Sequence, residues 1–187
     1  FRPVPALAAI PAQFFYDNRV ENTSMAIYSQ LDYDLNEHLV LTAGLRFTDE
    51  STDYRAHADL DIVPAYIPNL WALSGKVEDS EYSGKLALVQ KLDEHSSVYY
   101  SFSRGYKSGG YNAGYSTTLA QAADSTYAPE TLNAYEIGSK FSLWQNSGYL
   151  NLAAFYYDYQ DQQVFVNVPN NAVPYHVLKN AGDSTIY

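Results

Sequence analysis

The chain has 187 residues, a formal net charge of −10 and no cysteine. Its acidic balance and scattered Lys and Arg exclude nucleic acid as a partner, and the lack of cysteine excludes disulfide frameworks, thiol catalysis and Cys-type zinc sites. The 19 tyrosines are more than an ordinary soluble domain needs, and tyrosine favours places where one end of the side chain is apolar and the other wet.

Six segments alternate apolar and polar side chains with a period of two residues, which predicts β-strands with one apolar and one polar face. In chain order they are residues 24–35, 39–49, 82–92, 97–103, 132–143 and 149–166. In the first of them, Met25 and Ile27 share one face and Tyr28 and Gln30 the other. Residues 177–187 predict a seventh strand, which we expect to have no partner in this chain.

The connections between these strands are alternately short and long. The short ones are residues 36–38, 93–95 and 145–148; the long polar ones are residues 1–23, 50–80, 108–131 and 167–178. A tilted strand needs about 9 to 11 residues to cross a bilayer, whereas strands of soluble domains are most often about 5 to 6. The pattern therefore predicts an all-β fold, part of a transmembrane antiparallel up-and-down β-barrel, with the short turns in the periplasm and the long loops outside.

This orientation also predicts where the aromatic side chains lie. Trans-membrane barrels carry a girdle of aromatic residues at each membrane interface. We expect Tyr33, Trp144 and Tyr149 at the interface beside the short turns, and Tyr82, Tyr106, Tyr135 and Tyr159 at the other. A strand-rich soluble sandwich would also be aromatic, because aromatic residues have high strand propensity.

The fourth strand ends in a glycine-rich turn, Gly105 to Gly110, followed by Tyr111 and Asn112. Glycine permits close backbone approach, but the full phosphate-binding P-loop pattern is missing and no helix is predicted to follow. Lys107 has the parity of the polar face, where it can meet an anionic ligand, whereas Arg104 has the parity of the lipid face. The plainer interpretation is a strand-to-loop transition.

Five segments together resemble a known family. They are SMAIYSQLDYDLNEHLVLTAGLRFTDE, SVYYSFSRGYKSGGYNAG, YAPETLNAYEIGSKFSLW, YLNLAAFYYDYQDQQV and the ending NAGDSTIY. In this order they are similar to the C-terminal half of the barrel of TonB-dependent outer-membrane receptors. The resemblance covers nearly all of residues 24–187.

The resemblance implies a barrel of about 22 strands, plugged by an N-terminal domain, in the outer membrane of a Gram-negative bacterium. It implies active uptake of a ferric siderophore or another scarce nutrient, with TonB as the partner that supplies energy and with outer-membrane lipid and lipopolysaccharide around the wall. Residues 1–187 would be part of one barrel domain, and the signal peptide, the plug and the final strands would lie outside them.

If the chain is part of such a receptor, the ligand-binding candidates are Tyr106, Lys107, Tyr111 and Asn112. They are chosen because they lie where the fourth strand meets a long loop, at the expected mouth of the barrel. We expect no cofactor, no protein-held metal and no catalysis. Carboxyl pairs such as Glu130 and Glu136, or Asp158 and Asp161, could be written as a glycosidase site, but acidic residues are normal in a barrel lumen. His57 and His176 fall in long loops, where solvated histidine is the simpler interpretation.

Two other functions remain open at this point. A passive porin-type channel would have the same wall without a plug. A soluble, aromatic-rich β-sandwich that binds carbohydrate would have similar composition, but it would not need strands of membrane length.

Overall fold

The computed structural model describes residues 12–62, 65–114, 116, 118–144, 147–168 and 175–187. In chain order its elements are β1 (Ala12–Asn36), β2 (Leu39–Ile62), β3 (Ala65–Lys91), β4 (Ser96–Lys107), β5 (Gly110–Tyr111), α1 (Leu119–Ala123), β6 (Thr126–Tyr127), β7 (Glu130–Leu143), β8 (Gly148–Gln160), β9 (Gln163–Val168), β10 (Tyr175–Asn180) and β11 (Ser184–Ile186). No helix in this part of the chain is long and apolar enough to cross a membrane.

Seven strands form one antiparallel sheet in the order β1-β2-β3-β4-β7-β8-β11. Neighbours in this sheet follow one another along the chain, and the two small pairs β5-β6 and β9-β10 lie in the connections. The predicted up-and-down wall of six to seven strands is confirmed. Among the described residues there is no second large sheet to cover the first, which argues against the sandwich.

The strand register keeps the predicted alternation in phase across the wall. Leu41 pairs with Leu88, and Leu88 pairs with Tyr100, on what we call the outer face. Lys85 and Glu136 belong to the opposite set of positions, the inner face. Side chains of the outer face remain uncovered although they are apolar: Met25 and Ile27 are each 73% exposed. An apolar face with no protein against it is what lipid would cover.

A row of aromatic rings crosses the outer face. Its members lie on β2, β3, β4, β7 and β8: Phe47, Tyr82, Phe102, Tyr135 and Tyr156. Three neighbouring pairs in this row have ring centroids 4.9, 5.0 and 6.2 Å apart. Tyr82 and Tyr135 thus lie in one girdle, as predicted. We call this row the aromatic belt.

Two tyrosines assigned to the girdles lie on the other face. Tyr159 pairs with Leu132 and Tyr149 pairs with Ser142, and both pairs belong to the inner face. Both tyrosines lie as far from the short turns as predicted. However, they alternate in phase with Tyr157 and Ala153, which are on the inner face. Sequence distance from a turn gives the height of a residue, and only parity gives its face.

The short turns are held by their own polar side chains. The Asn36 side chain accepts the backbone N–H of His38 at 2.9 Å, and the Asp93 carboxylate accepts that of His95 at 2.7 Å. Burial is negligible there, so these hydrogen bonds and not packing define the turn. The third turn begins at Trp144, with φ of 50°, and residues 145–146 lie outside the described part.

Two segments predicted as long loops are strands. β1 starts at Ala12, β2 continues to Ile62 and β3 begins at Ala65, so residues 12–23, 50–62 and 65–80 belong to the wall. Residues 1–11 and 63–64 lie outside the described part. Polar and apolar side chains still alternate there, but the polar ones are now on the outer face. Asp53 and Arg55 lie on the outer face, and Tyr54 and Ala56 lie on the inner face. The prediction of a loop is wrong because polar residues on the outer face are equally compatible with a paired strand.

The buried core lies on the inner face of this hairpin extension. Ala56, Ala58 and Trp71 form a cluster with Ala122 of α1, and Ala58 and Ala122 are fully buried. The side chain of Thr118 caps α1 by accepting the backbone N–H of Gln121 at 3.3 Å. The connection between β4 and β7 therefore folds back onto the hairpin.

The sixth and seventh predicted strands are each divided. The chain leaves the wall at Asp161, whose φ of 53° ends the ladder, and β9 pairs with β10 in a separate hairpin. It returns at Ser184, which pairs with Tyr159 of β8. The expectation that residues 177–187 have no partner is wrong, because β10 pairs with β9 and β11 with β8.

Candidate ligand-binding mouth

A cavity of about 230 Å³ lies on the inner face, beyond the aromatic belt on the side away from the short turns. Its floor is the wall of β1, β2 and β3, and its roof is the turn formed by residues 107–111. Polar groups of Ser24, Glu50, Asp79 and Lys107 line it together with the Tyr111 ring. We call this cavity the mouth cavity.

Asp79 holds the glycine-rich turn against the wall. Its Oδ2 accepts the backbone N–H of Gly109 at 2.9 Å. A Cβ on Gly109 would lie 2.6 Å from the Tyr127 carbonyl oxygen and 2.8 Å from Asp79 Oδ2, so only glycine allows this approach. The predicted close backbone approach is confirmed, and the group approached is a carboxylate of the protein's own wall.

Tyr111 is anchored by a second aromatic ring. It is 6% exposed, and its ring stacks on that of Tyr54 with centroids 4.1 Å apart and planes within 5°. Gly75, opposite Tyr54 on β3, leaves room for this ring because a Cβ there would overlap the Tyr54 side chain. Burial raises the pKa of the Tyr111 hydroxyl, so the ring stays neutral.

Asn112 joins two connections. Its Nδ2 donates to the backbone carbonyls of Ser125 and Leu178 at 3.0 and 2.9 Å, and its Oδ1 accepts the backbone N–H of Leu178 at 2.8 Å. These bonds tie the turn to β10. The side-chain amide is thus engaged within the protein, in the position of a support for the mouth.

Of the four candidates, Lys107 and Tyr111 line the mouth cavity, and Asn112 follows directly. Tyr106 does not join them, because it pairs with Thr131 on the outer face while Lys107 pairs with Glu130 on the inner. The Lys107 side chain is exposed and makes no ion pair with any described residue. Its ammonium is available to an anionic ligand.

The acidic side of the mouth cavity was not among the sequence candidates. Glu50 and Asp79 are cross-strand partners on the inner face. Burial raises the pKa of the Asp79 carboxyl against the opposing effect of the Gly109 N–H, and the neighbouring carboxylates of Glu50 and Glu81 raise it further. Glu50 and Asp79 belong to the same set of alternate strand positions as Lys85, and this alternation is the sequence signal that assigns both to the inner face.

Glu50 contributes a second acceptor to the cavity. Its Oε1 accepts the Ser24 hydroxyl at 2.9 Å, while Oε2 is buried and has no hydrogen-bond partner among the described residues. The cavity therefore offers one cation, Lys107, opposite two carboxylates. Such a surface suits a ligand with both anionic and donor groups.

Gln163 binds both ends of the connection between β4 and β7 to the β9-β10 hairpin. It is 8% exposed, and its Nε2 donates to the carbonyls of Ser108 and Ala128 at 3.0 Å each. Its backbone N–H donates to Glu130 Oε2 at 2.6 Å. One side chain thus links the start of the connection, its end and the next hairpin.

The remaining acidic and histidine candidates have other surroundings. Glu136 accepts the Tyr99 hydroxyl at 2.5 Å on the inner face. His57 lies on the outer face, 4.0 Å from an Asp17 oxygen. Within the described ranges, no group of three or more His, Asp or Glu is arranged to hold a metal ion.

A sequence model of a known family matches nearly the whole chain: the family described as "TonB dependent receptor-like, beta-barrel" matches residues 2–187. The pesticin receptors of Yersinia enterocolitica and Yersinia pestis are each 26% identical over 159 residues, which is 85% of this chain. That alignment covers 21% of each receptor. The chain thus spans about a fifth of the length of these curated relatives.

Two solved structures have the same fold. The ferric yersiniabactin uptake receptor of Yersinia pestis matches with a TM-score of 0.70 and 23% identity, over 92% of this chain and 24% of the receptor. A siderophore receptor of Acinetobacter baumannii matches with a TM-score of 0.56 and 19% identity, over 91% of this chain and 22% of the receptor. At these identities the likeness extends to the fold, that of a partial barrel wall.

Proposed function

Because this chain belongs to the family of TonB-dependent receptor β-barrels, we propose that its protein takes up a ferric siderophore or another scarce nutrient across the outer membrane. Transport would be active and gated, with energy supplied through TonB. The proposal rests on one observation: the strands that match the receptor family carry a polar cavity, the mouth cavity, on their inner face. Both parts are what a ligand-gated barrel requires.

The exposed outer face supports a location in the outer membrane of a Gram-negative bacterium. The strands present an apolar outer face below the aromatic belt, and beyond it β2 and β3 turn to charged residues such as Asp53 and Arg55. Such a change from apolar to charged marks the level where a strand leaves lipid. The short turns would then lie in the periplasm, the mouth cavity outside, and lipid and lipopolysaccharide around the wall.

The plug, the TonB-binding segment, a signal peptide and the remaining strands would belong to parts of the protein outside residues 1–187. The wall needs further strands, because an open edge in lipid leaves backbone groups unpaired at several kcal/mol each. The curated relatives are about five times longer than the matched region, which leaves room for these parts.

The ligand would be captured first at the mouth. Lys107 would contact its anionic groups, while Tyr111 and Asn112 hold the turn that presents Lys107. Tyr106, on the outer face, would contribute at the rim. Uptake would follow if the ligand binds the open and closed arrangements of the plug with different affinity.

The test uses the full-length receptor in a host that lacks other siderophore receptors. Uptake of radiolabelled iron from a panel of ferric siderophores is measured with and without functional TonB, and binding is measured on the purified receptor. We expect TonB-dependent uptake of at least one siderophore. A passive porin would give uptake that persists without TonB, which would contradict the proposal.

The mouth is tested separately with two lysine variants. Lys107→Ala should weaken binding of that ferric siderophore at least tenfold, because it removes an exposed, unpaired cation from the cavity. Lys91→Ala is the matched control, an exposed lysine of the same inner face beside a short turn. Equal affinity of both variants would leave the receptor family intact and dismiss the mouth assignment.

A further inference from the structure

One edge of β3 is left open by the course of the neighbouring strand. On one side β3 pairs with β2 from Gln90 to Ala65, close to its full length. On the other side it pairs with β4 only from Gly84 to Lys91. Beyond Gly84, β4 turns away to pair with β7 alone. Residues 65–83 therefore have a strand partner on one side only, within the part of the chain that the structure describes.

The direction of the backbone groups along this edge follows from two hydrogen bonds. The Lys91 N–H donates to the His38 carbonyl on the β2 side. The Tyr82 carbonyl accepts from Arg104 Nε on the β4 side at 3.3 Å. Residues of even number thus present their N–H and C=O to the open edge. The register stays regular up to Ala72, so this holds for Ser74, Lys76, Glu78 and Ser80.

Arg104 covers only the end of the open edge that lies nearest Gly84. It bonds the Tyr82 carbonyl and pairs with Glu81 at 3.3 Å, in the fork between β3 and β4. From Ser74 to Ser80 the edge-facing backbone groups bond no described residue. Natural sheets protect such edges with proline, bulges or unpaired lysine. No proline occurs between Asn69 and Ala128, and the one lysine between Ser74 and Ser80, Lys76, is paired with Glu78.

We propose that the open edge of β3, from Ser74 to Ser80, is a docking site for an extended, net-basic segment of a partner protein, which adds to the sheet as a further strand. Strand addition to an exposed edge is an established mode of peptide recognition. The charge of the partner follows from the side chains that flank the edge. Residues 74–81 carry three carboxylates, those of Glu78, Asp79 and Glu81, against the one ammonium of Lys76. On β2, Asp49 and Asp53 lie opposite this stretch and outnumber Arg55.

The site lies outside the membrane if the aromatic belt marks the interface, because Ser80 precedes Tyr82 of the belt and the edge runs away from it. The seven residues would span about 24 Å at ~3.4 Å per residue. Of the residues from Ser74 to Ser80, Val77 and Asp79 also line the mouth cavity, and their side chains face the inner side. Strand addition at this edge does not depend on whether the protein carries a siderophore.

The state of the edge is measured first, by amide hydrogen exchange on the full-length receptor in detergent micelles. We expect the N–H groups of Ser74, Lys76, Glu78 and Ser80 to exchange at least a hundredfold faster than those of Gly75 and Val77, which face β2. Equal protection in both sets would mean that another part of the same protein already covers the edge. That result would overturn the proposal.

Binding is then measured with a defined probe, a fluorescent nonapeptide that alternates lysine and valine. A second peptide of the same sequence carries N-methyl groups on alternate residues, which removes the donors of one strand edge and leaves charge unchanged. We expect the first peptide to bind, and the second to bind at least tenfold more weakly. Absence of binding by the first peptide, or equal binding by both, would overturn strand addition.

A matched pair of receptor variants locates the site. In one, Ser74 and Ser80 are both replaced by Pro, which removes two edge-facing N–H groups; in the other, both are replaced by Ala. Neither changes the charge. Peptide binding should fall at least tenfold in the proline variant and stay within twofold in the alanine variant. If the wild-type receptor is instead a dimer that the proline variant converts to a monomer, the occupant is a second copy and the proposal is wrong.

Discussion

The rings of Tyr54 and Tyr111 lie parallel, with centroids 4.1 Å apart and planes within 5°. One ring belongs to the wall and the other to the connection that covers it. Stacking contributes about 0.5–1.5 kcal/mol beyond the burial of area. This pair therefore docks the glycine-rich turn on the inner face, which makes it a sensitive point for testing the mouth.

Replacing Tyr111 by Ala should release the turn. The variant loses the stack and the burial of a 6% exposed side chain, at a cost of about 3–5 kcal/mol for a large aromatic-to-Ala change. We expect faster proteolysis between Lys107 and Glu130 in the full receptor, with the wall intact. Tyr111→Phe keeps the ring and should remain as resistant as the wild type. A resistant Tyr111→Ala variant would show that the stack does not hold the turn.

Gly75→Ala should disturb the same stack from the neighbouring strand, on the same face of the sheet. The new methyl group would overlap the Tyr54 ring and displace it, an overpacking cost of about 1–3 kcal/mol. The melting temperature should fall and proteolysis of the turn should rise. Gly105→Ala is the control, because a Cβ there has no atom within 4 Å. Equal melting temperatures for the two variants would contradict the prediction.

Asp79 should make docking of the turn depend on pH. Its pKa is raised in the folded protein, mainly by burial, so the folded state holds the proton more tightly than the undocked state. Docking is therefore favoured when the carboxyl is protonated, and it weakens as the pH rises from the ordinary Asp value of 3.8 through the raised one.

The measurement for Asp79 is the melting temperature between pH 3.5 and pH 7, chosen on either side of that ordinary value and compared with Asp79→Asn. The amide keeps an acceptor for the Gly109 N–H but does not titrate. We expect the variant to gain stability relative to the wild type as the pH rises. A difference between the two proteins that is constant across this range would rule out titration of Asp79.

Gln163→Glu should separate the connection from the β9-β10 hairpin. A carboxylate replaces the Nε2 donor and faces the carbonyls of Ser108 and Ala128. The Ser108 carbonyl loses this donor, at a cost of about 1–3 kcal/mol, whereas the Ala128 carbonyl keeps a bond from Asn180 Nδ2. Hydrogen exchange should rise in residues 108–128 and 163–180. Gln160→Glu, an exposed position, is the control with the same change of charge. Exchange that rises equally in both variants would point to charge alone.

Alternation alone determined the wall. Met25, Ile27 and Leu31 on one parity, continued by Leu88 and Tyr100 on later strands, defined the apolar face, because side chains of a strand alternate with a period of two residues. The order of the strands followed from the short turns, since antiparallel neighbours need only a few residues between them. Local periodicity and local turn chemistry are properties that a sequence carries in full.

Local pattern failed where a strand changes its surroundings. The sequence predicts a loop over residues 50–80 because charged residues such as Asp53 and Arg55 replace apolar ones, yet β2 continues to Ile62 and β3 begins at Ala65. Whether a polar residue faces water on a strand or belongs to a loop depends on what its partner strand presents, and that is a property of pairing. The same holds for Asp161, where φ and not composition ends the strand.

The mouth was decided by tertiary structure. The sequence pointed to Lys107 and Tyr111, which do line the cavity, but it could not show Tyr54 beneath Tyr111 or Asp79 beneath Gly109. These partners are about 30 to 60 residues apart along the chain, and their contact depends on the register of β2 and β3 and on how the connection folds back. Periodicity assigns a residue to a face, whereas only the packed chain decides which residues on that face meet.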